Sequence, residues 1–304
     1  MFSSLWQLKI TVLCFLASYL IAWGLELARL SGRSRVSQMV ALTFTFAGLL
    51  AHSIYLVRRS LETGLPPLLG SAHDWLLVLA WVLVLFYLYF SLLHRELALG
   101  VFLLPVVLLL IAATYLTTGP TSEPAAHEIG LRRWKMLHAS FLVLGTGGVA
   151  AGFIASLMYL LQHRRLRTRH PTQDGWRLPS LETLAQLTRW TVMSAFLLLT
   201  LGIATGMVLS VEYRRQPLSV LFRDPQVLAG CLVWLVLAAV LAWLVSRRQP
   251  SGKQVAWMSI SACGFLLLAI IGLQAVTGTN HPVIKASDRK VSCADAPLWA
   301  GDCS

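Results

Sequence analysis

Trp75-Leu-Leu-Val-Leu-Ala-Trp-Val-Leu-Val-Leu-Phe-Tyr-Leu-Tyr-Phe-Ser-Leu-Leu93 holds no charged side chain. A hydrocarbon layer ~30 Å thick takes roughly 20 helical residues to cross, so this run has membrane length. It is continuously apolar, whereas a barrel strand alternates over about 10 residues, and a helix is the other form that satisfies its own backbone in lipid. Working outward from 75–93, comparable apolar runs recur at about 9–28, 37–57, 99–117, 137–161, 190–211, 226–246 and 256–277. The composition agrees: 57% hydrophobic and 12% charged residues, with a mean hydropathy of +0.69, need lipid as solvent. The expectation is an all-α membrane protein, a polytopic bundle of about eight transmembrane helices. The first run exceeds a signal-peptide core and lacks a small-residue cleavage site before Arg29, Arg33 and Arg35, so it reads as a retained helix.

Orientation follows from Lys and Arg in the connections. The 162–189 connection holds Arg164, Arg165, Arg167, Arg169, Arg177 and Arg189, which places it in the cytoplasm. Eight spans then put both termini on the extracytoplasmic side, with 13 basic residues inside and 12 outside. A transmembrane domain over 1–283 is expected, followed by a short extracytoplasmic tail over 284–304. The net charge of +12 is scattered over both faces between apolar spans, which assigns the arginines to topology and membrane lipid and argues against nucleic acid. Cys14, Cys231 and Cys263 fall within spans and read as small apolar residues. Cys293 and Cys303 bracket the polar tail, where an oxidising compartment would permit a disulfide.

Two local patterns concern packing. Leu181, Leu184 and Leu187 follow Ser180, which is placed to cap an interfacial helix leading into the sixth span. Gly148 and Gly152, then Gly202 and Gly206, repeat at the small-xxx-small spacing that lets helix backbones approach, although glycine is also simply tolerated in lipid.

Polar groups at membrane depth carry the functional question, because each costs free energy to bury. His138 opens the fifth span, His281 follows the eighth, and His52 lies in the outer half of the second, so three imidazoles are expected on the outer side. Each has two open readings, interfacial hydrogen bonding or metal ligation. Paired neutral imidazoles suit haem iron, and Arg132, Arg133, Arg214, Arg215 and Arg223 in the outer connections could meet its propionates. Zinc fits less well without a tight Cys/His/acid cluster. The span centres lack acids and lysines that a transporter would use, and no phosphate loop, nucleophile elbow or HExxH is present.

Trp134-Lys-Met-Leu-His138-Ala-Ser-Phe-Leu-Val-Leu-Gly145 runs into a glycine-rich span ending Met158-Tyr-Leu-Leu-Gln162. With Leu178-Pro-Ser-Leu-Glu182-Thr-Leu and Leu201-Gly-Ile-Ala-Thr-Gly206, it resembles the cytochrome c assembly family over about 75–283. That family includes CcsA haem-handling proteins and shorter HemX-like proteins. The resemblance implies haem ligation by His138 and by His281, in Gly278-Thr-Asn-His281-Pro, with His52 a looser match as ligand or relay. Asp224-Pro225 stands where the family has the end of a tryptophan-rich segment, but Phe222-Arg223 replaces the tryptophans before it, and Trp234 follows in the next span.

The resemblance further implies a role in c-type cytochrome biogenesis, with haem b bound or presented at the outer face of a bacterial cytoplasmic membrane. Asp224 would be an interface residue, and Arg132, Arg133, Arg214 and Arg215 would contact propionates. An apocytochrome c and an extracytoplasmic assembly partner would complete the system, since this chain has no CxxCH of its own. The same resemblance offers a second expectation: a HemX-like regulator of tetrapyrrole synthesis working through the cytoplasmic connection 162–189.

Overall fold

The computed structural model describes residues 2–31, 35–64, 66–69, 71–93, 99–115, 129–167, 180–209 and 225–246, together with isolated positions between 254 and 264. Every regular element among them is helical: α1 (Phe2–Ser31), α2 (Arg35–Thr63), a 3-10 turn (Pro67–Leu69), α3 (Ala72–Leu93), α4 (Gly100–Thr114), α5 (Ile129–Arg167), α6 (Leu181–Val208) and α7 (Pro225–Ser246). Within 254–264 the described positions are also helical, and the remainder of the expected eighth span lies outside the described residues.

Five of these helices are long and apolar enough to cross a membrane, over Val12–Arg29, Val36–Thr63, His73–Leu93, Arg132–Leu166 and Leu181–Val208. The helix α4 is as apolar but has 15 residues, with Pro105 inside it. At 1.5 Å per residue it spans about 22 Å. The helix α5 does the opposite: its 39 residues continue well past the apolar run at both ends.

The helices pack in two groups. In the first, α1 lies against α2 and α4, and α3 against α2 and α4. Phe15, Tyr19, Leu77, Leu83, Tyr87, Leu103, Leu104 and Ile111 fill its interior. In the second, α6 lies between α5 and α7, around Val149, Val192, Ala195, Leu199, Leu237 and Val240. The α3–α5 contact joins the groups, and Gly147 meets Val82 there, where an added Cβ would lie 2.9 Å from the valine. Large apolar side chains such as Leu61, Leu109 and Trp190 face outward, as lipid requires and water would penalise.

The glycine spacing on α5 and α6 is used for close approach. A Cβ on Gly148 would lie 3.2 Å from the Ala195 Cβ, and one on Gly152 would lie 3.0 Å from the Thr191 hydroxyl. Helices without a hydrophobic drive between them gain their contact energy from this kind of backbone proximity.

Ser180 caps α6, its hydroxyl accepting from the Thr183 amide at 3.2 Å. The expected interfacial helix is continuous with the sixth span: Leu184 and Thr188 are buried within one uninterrupted helix, so nothing bends the chain between 181 and 190. Ser180→Ala is expected to cost about 1 kcal/mol, seen as a lower thermal midpoint in detergent. Gly64 closes α2 with φ +66°, a left-handed conformation that glycine adopts without a Cβ penalty.

Polar side chains tie the helix ends. At one end of the bundle, Asp74 pairs with Arg59 and accepts from the Ser71 amide and hydroxyl at 3.2 and 3.0 Å. Arg132 donates to the Gly64 carbonyl at 2.6 Å. At the opposite end, Glu26 accepts from Arg29 at 2.8 Å and from the Tyr87 hydroxyl at 2.8 Å. Glu26 is 2% exposed and Asp74 is 1% exposed, so acids absent from the span centres are buried close to the span ends.

Candidate functional site

His138 lies two turns inside α5 on the face turned to α6. It shares that face with Gly145, Gly148 and Gly152, each of which meets an α6 residue. Its Nδ1 lies 2.7 Å from the Gly202 carbonyl oxygen. A carbonyl only accepts, so Nδ1 carries a proton, and in a neutral ring that leaves the lone pair at Nε2. A Cβ on Gly206 would come within 2.8 Å of the His138 Cε1 and 3.1 Å of Nδ1, so the ring occupies the space this glycine leaves open. The Gly202 carbonyl also accepts from the Thr205 hydroxyl at 2.9 Å. His138 is half-buried.

His52 is placed differently. It is fully buried between α1 and α2, with Phe15 stacked on its ring at 4.4 Å and 7°, and the Tyr19 hydroxyl 3.4 Å from Nδ1. Its Nε2 has no hydrogen-bond partner among the described residues. The depth of His52 follows from two contacts. Trp81 donates to Ser53 at 2.9 Å, and the neighbouring Val82 meets Gly147, nine residues beyond His138 on α5. At 1.5 Å per residue, His52 therefore sits roughly 13 Å deeper than His138, near the middle of α3. Reading the span as 37–57 set it in the outer half. In α2, which continues to Thr63, it still lies in the half of the helix nearer that end.

His73 stands just before the apolar run 75–93. It sits in the first turn of α3, with Nδ1 3.1 Å from the Thr114 carbonyl. Like His138, it precedes the Val82–Gly147 contact by nine residues, so both lie at one level. Nine residues also turn a helix by half a revolution, so each ring faces away from the other helix and the two cannot share a ligand.

The expected propionate contacts divide. Arg132 and Arg133 are exposed, and they stand about 120° and 140° round α5 from His138, with Arg132 engaged at Gly64. Lys135, three residues before His138, shares its face and is half-buried. Its three-residue spacing was legible, but adjacent arginines outweighed it in a reading by charge alone. Trp234 stacks on Phe196 at 5.6 Å and donates to Thr200 at 2.8 Å. Thr200 lies about 200° round α6 from Gly202, so this indole belongs to the α6–α7 seam and is not beside His138. His281, Asp224, Arg214 and Arg215 lie outside the described residues, as do Cys293 and Cys303.

Apolar helices of membrane length, packed through glycines around half-buried and buried imidazoles, define a multi-pass helical membrane protein. The cytochrome C assembly protein family model matches residues 69–281, more than half of the chain, and the chain belongs to that family. It is 25% identical over 235 residues to a protein from Guillardia theta named cytochrome c biogenesis protein CcsA, covering 72% of this chain and 76% of the relative. A protein of the same name from Synechococcus sp. (strain RCC307) is 26% identical over 279 residues, 84% of this chain and 88% of the relative. Another from Trieres chinensis is 24% identical over 231 residues, 66% and 72% of the two chains. No solved structure matches the chain.

Proposed function

We propose that the protein acts in c-type cytochrome biogenesis, binding or presenting haem b at the outer face of a bacterial cytoplasmic membrane through His138 and His281. The observation that carries this reading is the 2.7 Å hydrogen bond from His138 Nδ1 to the Gly202 carbonyl. A backbone carbonyl on one imidazole nitrogen fixes the tautomer, orients the ring and raises the basicity of the other nitrogen, as at metal-ligating histidines generally. His138 as placed therefore fits a residue that would hold haem iron. Family membership and relatives named for cytochrome c biogenesis favour this role over regulation of tetrapyrrole synthesis.

In this reading eight spans cross the membrane with both termini extracytoplasmic, and His281 follows the last of them. Haem supplies the iron that two imidazoles hold and the carboxylates that cations neutralise. This chain would supply the ligand nitrogens and the cations. Lys135 joins Arg214 and Arg215 as a propionate contact, since it shares the face of His138. Arg132 and Arg133 lie further round α5 and serve the rim, and Asp224 stands at the interface with a partner. His52 is a separate, deeper group, a relay or second ligand that His138 cannot replace. An apocytochrome c supplies the thiols, and an assembly partner with an extracytoplasmic domain holds it in place.

The test is the visible absorption spectrum of protein purified in mild detergent from haem-replete cells, beside a His138→Ala/His281→Ala variant purified in parallel. A Soret band with reduced α and β bands, lost in the variant, is the expected result. A colourless wild type that stays colourless after haem is added overturns the assignment.

A further inference from the structure

We propose that Gly206 is a positioning residue for His138, and that the turn of α6 from Gly202 to Gly206 forms a seat that holds its imidazole with the proton on Nδ1 and the lone pair on Nε2. This inference rests on the haem-ligand reading for its purpose but not for its geometry. Two contacts make the seat. The Gly202 carbonyl receives the Nδ1 proton at 2.7 Å, and Gly206, one turn further along the same face, leaves the volume that the ring fills. A methyl group at Gly206 would stand 2.8 Å from Cε1 and 3.1 Å from Nδ1, distances that the ring must vacate. The displacement acts on the edge that carries the hydrogen bond, so a Cβ at this position removes both the space and the tautomer lock.

The other glycines of the α5–α6 seam differ in what they face. A Cβ on Gly145 would meet the Leu199 side chain at 2.8 Å, and one on Gly202 would meet Leu142 at 2.8 Å. Both are packing contacts with flexible aliphatic groups. Of the α6 glycines, Gly206 meets the imidazole itself. Thr205 contributes as well: its hydroxyl shares the Gly202 carbonyl at 2.9 Å, so the oxygen divides its acceptor capacity between threonine and histidine. The seat therefore has one part that excludes a side chain and one part that sets hydrogen-bond strength.

The experiment uses the full chain in detergent micelles with ¹⁵N-labelled histidine, and the His138 signals are assigned by difference from His138→Gln. The wild type is expected to show a proton bound to Nδ1 of His138 and none on Nε2. In Gly206→Ala the Nδ1-bound proton is expected to be lost or divided between the two nitrogens, whereas in Gly145→Ala, a packing change at the same seam, it stays. A wild-type proton on Nε2, or an unchanged His138 signal in Gly206→Ala, overturns the proposal. A Gly206→Ala protein that does not fold is replaced by Gly206→Ser, read in the same way. Haem titration of the same samples separates the two readings. Binding weakened about 10- to 100-fold in Gly206→Ala and spared in Gly145→Ala supports both. A wild type with the expected tautomer that takes up no haem overturns the haem reading and leaves the seat intact.

Discussion

Cells in which this chain carries His138→Ala as the sole family member are expected to lose nearly all covalently haem-bearing c-type cytochromes, read as haem-stained bands in membrane and periplasmic fractions. Perturbing a group that merely orients a metal-ligating histidine lowers affinity about 10- to 100-fold, and removing the ligand itself is expected to exceed that. Neighbouring imidazoles do not compensate. His52 lies roughly 13 Å deeper, and His73 is turned to Thr114 on the far side of α3. Among the described residues, no other histidine shares the His138 face at its level. His138→Gln is expected to behave like alanine, because an amide is a poor axial ligand although it fills similar space. Normal cytochrome levels in either variant, with the protein present in the membrane, would exclude the assignment.

Asp74→Leu is expected to destabilise the chain by about 2–4 kcal/mol, and Arg59→Leu/Asp74→Leu by clearly less. Asp74 is 1% exposed and holds three partners, the Arg59 guanidinium, the Ser71 amide and the Ser71 hydroxyl. Removing one member of a buried pair leaves the other charge unpaired, at a cost of roughly 3–5 kcal/mol, and the partial exposure of Arg59 reduces it. Replacing both members removes the stranded charge, so most of the loss is recovered. The measurement is the unfolding midpoint in mixed micelles for the wild type, the two single variants and the double variant. A double variant no more stable than Asp74→Leu would show that Asp74 acts through Ser71 and not through Arg59.

Much of this was legible in the sequence, because lipid leaves few options to a run such as 75–93. Charge-free length decides that such a segment is a helix, and the described helices cover seven of the expected runs. The same logic is poor at boundaries. Hydropathy ends the second run near residue 57, yet α2 continues to Thr63 because Arg58 and Arg59 are good helix formers and Arg59 finds Asp74.

The sequence singles out His138 by its position at the head of a glycine-rich span, and Gly202 and Gly206 by their spacing. What spacing could not reveal is that Gly206 opposes an imidazole whereas Gly148 opposes Ala195, since a small-xxx-small pattern records proximity without naming the neighbour. Lys135 was overlooked for a related reason: counting charges favours Arg132 and Arg133, and only helical phase singles out the lysine. Tyr87 and Glu26 meet across 61 positions of sequence, a separation that no local pattern reports.

The 39 residues of α5 extend about 58 Å, nearly twice the thickness of the hydrocarbon layer, as one hydrogen-bonded rod. Such a rod is a lever whose fulcrum is the glycine contact with α6, and one arm ends among Arg164 and Arg165. His138 rides on the other arm, about 15 Å from the midpoint. A tilt of about 5° moves it by about 1 Å, enough to stretch a 2.7 Å hydrogen bond beyond useful length. Whatever grips the Arg164 and Arg165 end of α5 thereby has mechanical purchase on an imidazole near the other end of the rod.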